Sequence, residues 1–320
     1  MEATAKTSIP PSCAIDLGTN SFRLLIDSPL RPASIPAIKK LITVRIGQDV
    51  VTTGQICPEA MERGLSALAE FRREMEIARP CFCRCCGTEA LRRAQNSPLF
   101  IKKAEKILGC AVELIDGTQE AALTAAGVFA SLCLPTGPAE IIIADVGGGS
   151  TEVIVLSRHG KIVQSASFSI GAVSLTEAED GDMKTSALGI FRKDLNDFID
   201  PLAKNKNQFT LIGSGGTATA MAALELKLET YDGTRVQGHG LTRSMIDLFH
   251  HRLSAIPPGS RSLLPGLEEG RGDIILAGME IYQELLATIG GEGMIVSDAG
   301  LLEGILLSCP NQGRPLNFSF

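Results

Sequence analysis

Asp16-Leu-Gly-Thr-Asn-Ser21 and Asp145-Val-Gly-Gly-Gly-Ser-Thr151 are the two stretches that decide the fold. Each sets an Asp at the end of an apolar run, follows it with glycine, and continues with hydroxyl or amide side chains. Glycine lets the backbone approach phosphate oxygens closely. Successive N–H groups in such a turn form an anion nest, and Ser and Thr hydroxyls add donors. Asp16 and Asp145 offer hard carboxylate oxygens to Mg²⁺ or another divalent cation, through water. One glycine turn alone is equally well explained as a hairpin. Two of them, each opening one half of the chain, point to paired phosphate loops: Gly18, Thr19, Asn20 and Ser21 in the first, and Gly147, Gly148, Gly149, Ser150 and Thr151 in the second.

Outward from these loops the pattern is strand, glycine turn, strand. Cys13–Leu17 and Phe22–Ile26 flank the first turn, and Ile141–Asp145 and Glu152–Leu156 flank the second. A Rossmann or Walker loop would instead lead from strand into helix. The segment Ile38–Ile46 reads as a further strand. Pro58 opens a helix with apolar residues at helical spacing that ends by Pro80. A Cys-rich strand follows, then helices through Glu89–Arg93 and from Pro98, a short strand Val112–Ile115, and a helix Thr118–Ala130. Leu134–Pro138 reads as the linker, which gives an N-terminal lobe over 1–130 and a C-terminal lobe over 131–320. In the second lobe Gly213–Gly216 turns into a helix Thr217–Leu226. Helices are expected over Met245–Leu253, Arg271–Leu286 and Leu301–Leu307, with a strand at Met294–Ser297. The fold class is α/β in two lobes.

The chain has 320 residues, net charge −6, no Trp and two Tyr. That balance argues against a nucleic-acid polymer as partner. No apolar run reaches the ~18–20 residues of a membrane span, and Met1–Ser12 has no signal-peptide core, so a cytoplasmic protein with no membrane partner is expected. Of nine cysteines, Cys81, Cys83, Cys85 and Cys86 are crowded together without the paired spacing of a structural zinc site. In an extended strand 81, 83 and 85 share one face, which reads as buried thiols, with a metal or redox site as the alternative. His250 and His251 do not share a helix face, and His239 reads as a turn residue.

The longer strings resemble one family. Ala14-Ile-Asp-Leu-Gly-Thr-Asn-Ser-Phe-Arg-Leu-Leu25, Gly87-Thr-Glu-Ala-Leu-Arg92, Ile115-Asp-Gly-Thr-Gln-Glu-Ala121, Ile143-Ala-Asp-Val-Gly-Gly-Gly-Ser-Thr-Glu152, Ser169-Ile-Gly-Ala172, Gly213-Ser-Gly-Gly-Thr-Ala218 and Ser297-Asp-Ala-Gly-Leu-Leu-Glu-Gly304 are similar, in order, to the exopolyphosphatase / guanosine pentaphosphate phosphatase family. The resemblance implies a ribonuclease-H-like/actin-like ATPase fold, with a cleft between the lobes and the last helix packed back on the first lobe. It also implies a general base at Glu120, which would deprotonate a water attacking a terminal phosphorus. The family pattern there is Ser-Gly-x-Glu-Glu-Ala-Arg. Gln119 replaces its first Glu and Ala122 its Arg, which puts part of the substrate grip in doubt.

Phosphoryl transfer to water needs charge stabilisation above all. Arg23, Arg92 and Arg271 match basic family positions, with Arg92 assigned to catalysis and Arg93 expected to point elsewhere. Glu152 is assigned to metal or water positioning, beside the metal candidates Asp16 and Asp145. Gly215, Gly216 and Thr217 resemble a cleft-lining loop. The resemblance implies hydrolysis of polyphosphate, or alternatively of guanosine pentaphosphate. A small-molecule kinase and a nucleotide-binding regulator on the same fold are the readings from other classes. It further implies hinges near Glu120–Ala130 and Asp298–Leu301, homodimers as a common state, and, for the short two-domain form, a bias toward short chains.

Overall fold

The computed structural model describes residues 10–28, 37–133, 140–157, 160–178, 181–201 and 209–310; the expected linker 134–138 lies outside them. The first half runs β1 (Ser12–Leu17), β2 (Ser21–Asp27), β3 (Ile38–Thr43), α1 (Val50–Thr53), α2 (Pro58–Ala78), β4 (Phe82–Gly87), α3 (Glu89–Arg93), α4 (Ser97–Leu108), β5 (Val112–Leu114) and α5 (Gly117–Ser131). The second runs β6 (Glu140–Val146), β7 (Thr151–Leu156), β8 (Ile162–Phe168), α6 (Ala172–Thr176), α7 (Gly181–Ile199), β9 (Phe209–Ser214), α8 (Gly215–Glu225), α9 (Gly233–Val236), β10 (Gly240–Thr242), α10 (Arg243–Ser254), α11 (Pro258–Arg261), α12 (Ile275–Ile289), β11 (Gly293–Val296) and α13 (Leu301–Leu307).

The architectural repeat is visible in the sheets. The five-stranded sheet has the order β3-β2-β1-β4-β5 and the six-stranded sheet β10-β11-β9-β6-β7-β8. In each, an antiparallel meander (β1–β2–β3, β6–β7–β8) leads, on its other flank, to parallel strands (β4 and β5, β9 and β11). This is the two-lobed actin-like α/β plan that the resemblance implies.

Strand alternation then decides what the lobes show each other. On β1, Cys13, Ile15 and Leu17 pack with α2 and α4 residues such as Leu68, Phe71 and Phe100. Ala14 faces the other way, against Leu301, Leu302, Ile305 and Leu306 of α13. On β6, Ile142, Ala144 and Val146 join the core with α12, while Ile141 and Ile143 pack on Ala121, Ala125 and Val128 of α5. So α13, the last described element, covers the first sheet, and α5 covers the second. Burying each Leu or Ile of α13 is worth about 1.5–3 kcal/mol. The two helices cross closely because both carry glycine: a Cβ on Gly127 would lie 2.0 Å from Gly300 O, and one on Gly304 1.9 Å from Leu123 O.

Some elements differ from the sequence reading. The strand from Ile38 ends at Thr43 rather than Ile46, because Arg45 takes a left-handed φ of 54° and turns the chain. The helix expected from Arg271 begins at Ile275; Gly270, at φ 80°, and the turn after it leave Arg271 outside the helix. The Cys-rich strand starts at Phe82, leaving Cys81 before it and exposed. Cys83 and Cys85 join the α2/α4 face, and Cys86 packs on the α13 side. Among the described residues no group of His, Cys, Asp or Glu forms a ready metal cage, and no helix is long and apolar enough to cross a membrane.

Candidate active site

Asp16 and Asp145 are each the penultimate residue of their strand, with the same parity as the residues that face α13 and α5. Both carboxylates therefore enter the space between the sheets, where they line a cleft with an empty volume of about 690 Å³. Cross-strand register fixes their neighbours: Asp16 lies opposite Arg23, and Asp145 opposite Glu152. Arg23 clasps Asp16 Oδ2 through Nε at 2.7 Å and Nη2 at 2.6 Å.

The two glycine turns meet in the cleft. A Cβ on Gly148 would lie 3.0 Å from Thr19 Cβ and 3.2 Å from Asn20 N, and one on Gly149 2.9 Å from Thr19 Oγ1. Gly18, Thr19, Asn20, Ser21, Gly147, Gly148, Gly149 and Ser150 all line the cleft. Thr151 does not: it is fully buried and its hydroxyl donates to Ile170 O at 2.6 Å, so its side chain anchors the turn instead of offering a donor to a ligand. Gly215, Gly216, Thr217 and Arg271 complete the wall. Gly215 takes φ 82°, and a Cβ there would press on Asp145 Oδ1 at 2.3 Å. Arg271, held by Glu268 through Nε at 2.6 Å, lies across Gly216, where any Cβ would come within 1.9 Å of its Nη1.

Glu120 enters from the first turn of α5, where the helix dipole favours its charge. The helix start is fixed by a capping box: Gln119 N donates to Asp116 Oδ1 at 2.8 Å and Asp116 N donates to Gln119 Oε1 at 3.0 Å. Gln serves that role as well as Glu, which gives Gln119 a structural purpose. Ala122 is a buried residue of α5. Arg92 does not line the cleft; it reaches Glu120 Oε2 through Nη1 at 2.8 Å, and binds Glu89 Oε2 and Ile115 O as well. Arg93 points elsewhere, half-exposed and 3.9 Å from Glu89.

Acid dominates the electrostatics. Burial raises Glu120 to about 7, with the Asp16 and Asp145 charges adding to it and Arg92 opposing. Glu152, only 2% exposed, is pushed well above the usual carboxylate range by burial and by Glu120 and Asp145, although Ser167 Oγ donates to its Oε1 at 2.7 Å. Asp145 and Asp16 are raised by burial and relieved by Arg23. Burial works against the Arg23 charge, yet Asp16, Asp145 and Glu303 keep it more basic than usual. Asp16 Oδ1 and Asn20 Oδ1 are buried acceptors with no hydrogen-bond partner among the described residues. Such orphaned oxygens beside unneutralised carboxylates suit a hard cation that keeps part of its water shell.

Sequence reasoning missed several contributors. Ser167 sits on β8, a strand whose half-buried alternation is faint. Leu41, Thr88, Ile274 and Leu301 also line the cleft; of these only Thr88 and Leu301 lay inside quoted motifs.

Residues 34–312 match the Ppx/GppA phosphatase family. Exopolyphosphatase 2 of Mycobacterium tuberculosis (strain ATCC 25618 / H37Rv) is 31% identical over 313 residues, covering 92% of this chain and 97% of that protein. The crystal structure of an exopolyphosphatase from Cytophaga hutchinsonii superposes with a TM-score of 0.79 at 26% identity, over 93% of this chain and 97% of that one. The Aquifex aeolicus Ppx/GppA family member gives 0.73 at 29% identity, with the same coverage of both chains.

Proposed function

The chain belongs to the Ppx/GppA phosphatase family, and from that premise we propose that it is an exopolyphosphatase, hydrolysing the terminal phosphoanhydride of inorganic polyphosphate. The observation that carries this reading is Glu120: a carboxylate buried between two facing glycine loops, oriented by Arg92, with its pKa raised to about 7. A general base is most effective when its pKa lies near the working pH. Glu120 takes a proton from a water as the water oxygen bonds to the terminal phosphorus. The bridging P–O bond breaks, and its electron pair leaves with the shortened chain, so that one orthophosphate is released per cycle. The N–H groups of the two loops and the guanidinium of Arg271 hold the equatorial oxygens, where transition-state charge is spread.

Asp16, Asp145 and Glu152 are the residues that would hold Mg²⁺ or another divalent cation. When bound, the ion supplies positive charge to phosphoryl oxygens. The orphaned Asp16 Oδ1 and the raised pKa values of Asp145 and Glu152 support that assignment.

Guanosine pentaphosphate is the second reading. A neighbouring open hollow shares Arg23, Gly215, Gly216 and Arg271 with the phosphate cleft and is also lined by Tyr231 and Thr219, which leaves room for a bulky group beyond the phosphates.

The test is phosphate release from long-chain polyphosphate, tripolyphosphate and guanosine pentaphosphate, with Mg²⁺ and with EDTA. Mg²⁺-dependent release that is fastest on polyphosphate supports the proposal. Fastest release from guanosine pentaphosphate selects the second reading, and release from none of the three overturns both.

A further inference from the structure

Arg45 is a residue that neither the motifs nor the proposed chemistry uses, yet its backbone is in the left-handed region, with φ 54°. That conformation is uncommon outside glycine and carries strain for a long side chain. Two sets of bonds hold it. On the main chain, Arg45 N donates to Asn20 O at 2.7 Å, beside Val44 N to the same oxygen at 2.9 Å and Gly47 N to Thr19 O at 3.0 Å. The 44–47 turn thus grips the carbonyls of the first phosphate loop. On the side chain, Arg45 reaches the other lobe. Its guanidinium forms a two-pronged pair with Asp273, Nη2 to Oδ1 at 2.9 Å and Nη1 to Oδ2 at 2.8 Å, and donates to Gly270 O at 3.1 Å.

Gly270 and Asp273 flank Arg271. This segment has little regular structure of its own: Arg271 lies in a turn, its N–H reaching Glu268 O at 3.2 Å, before α12 begins. Thr43 gives it a second support from the same side, since a Cβ on Gly270 would meet Thr43 Cγ2 at 2.8 Å. We infer that Arg45 is a positioning residue: a strut that ties the first phosphate loop to the Arg271 segment and so fixes the Arg271 guanidinium over Gly216. A two-pronged guanidinium–carboxylate pair sets direction as well as distance, and a change of register at Asp273 is passed to Arg271 two residues away. Arg45→Lys keeps the charge but loses the fork, so it does not restore the function. The inference rests on the proposed role of Arg271 as a phosphate ligand.

Arg45→Gly is the informative variant, because glycine accepts the left-handed backbone that arginine holds under strain. It removes the strut without threatening the turn. With tripolyphosphate and Mg²⁺, Arg45→Gly is expected to lower kcat/KM by about tenfold, mainly through KM, with Asp273→Asn doing the same and the melting temperature unchanged. In an Arg271→Ala background the Arg45→Gly loss should vanish, because there is no guanidinium left to position. Additive losses in the double variant, or full rescue by Arg45→Lys, overturn the inference.

A second readout does not depend on hydrolysis. Hydrogen exchange at the amides of Arg271, Ile274 and Ile275, which close the turn onto Glu268 O and Arg271 O, should quicken in Arg45→Gly and Asp273→Asn. If the wild type cleaves none of the phosphate substrates, the proposed function fails and exchange alone decides: faster exchange keeps the strut, and unchanged exchange removes it.

Discussion

The β1–β2 and β6–β7 hairpins share a backbone plan and differ in charge. In both, an Asp precedes a glycine turn and lies opposite the residue seven positions on. In both, a Cβ on the first glycine would press on a serine carbonyl: Gly18 on Ser21 O at 2.9 Å, Gly147 on Ser150 O at 3.1 Å. The partner of Asp16, however, is Arg23, while the partner of Asp145 is Glu152. The first hairpin neutralises its own carboxylate. The second stacks one buried acid on another, with Glu120 of α5 close enough to raise Glu152 further. Two copies of one glycine turn thus divide the labour: one brings a cationic side chain of its own, and the other leaves a deficit of positive charge.

Breaking the acidic side should have the largest effect. On the proposed mechanism Glu120→Gln keeps shape and packing but removes the base, and kcat on the preferred phosphate substrate is expected to fall roughly 1000-fold, with KM nearly unchanged. On the proposed mechanism, the ionised form of Glu120 is the active one. At limiting Mg²⁺, kcat/KM should therefore climb as pH rises through about 7 and then level off. Excess Mg²⁺, by favouring ionised carboxylates nearby, should shift this rise to lower pH. A profile without such a rise would remove Glu120 as the base.

Breaking the neutralised side should act on stability first. Arg23→Met strands Asp16 in the interior with no counter-charge, and losing one partner of such a pair costs about 3 kcal/mol, measurable by denaturant titration in EDTA. Glu152→Gln should move in the opposite direction. A carboxyl whose folded pKa exceeds its unfolded value of 4.5 holds its proton more tightly when folded. Its contribution to stability is complete below that unfolded value and is lost as pH rises through the folded one. The Gln variant escapes that loss, so in EDTA its stability should rise relative to the wild type as pH increases above about 4.5. Equal destabilisation by both variants would mean that the two hairpins are not electrostatic opposites.

Much of this division was legible in the sequence. The Asp-Gly motifs announced both hairpins, and strand alternation, once the register is known, carries both carboxylates to the same side. What could not be read was long-range. The pairing of Asp16 with Arg23 has no local signature, because cross-strand partners depend on the turn register. Gln119 reads in sequence as a lost acid, whereas in the fold it closes a capping box with Asp116. Thr151 looked like a ligand because hydroxyl residues in glycine turns often are, but its partner, Ile170 O, lies beyond a strand whose pattern is too weak to place. The Arg45 contact with Asp273 joins residues far apart in sequence and leaves no local periodic signature.

The smallest effect tests whether the two loops act as a pair. Neither Gly147 nor Gly148 has a left-handed φ, so an alanine at either reports contact alone. At Gly147 the added methyl meets only Ser150 O, within its own turn. At Gly148 it meets Thr19 Cβ at 3.0 Å and Asn20 N at 3.2 Å, across the cleft in the other loop. Overpacking of this kind costs roughly 1 kcal/mol. In Gly147→Ala the cost should be confined to stability, with a lower melting temperature and an unchanged KM. In Gly148→Ala it should separate the loops and appear as a KM raised by about fivefold, because the phosphate must then be gripped from both sides at a greater span. If the two variants raise KM equally, the loops bind phosphate independently, and the contact between Thr19 and Gly148 is packing without consequence for the ligand.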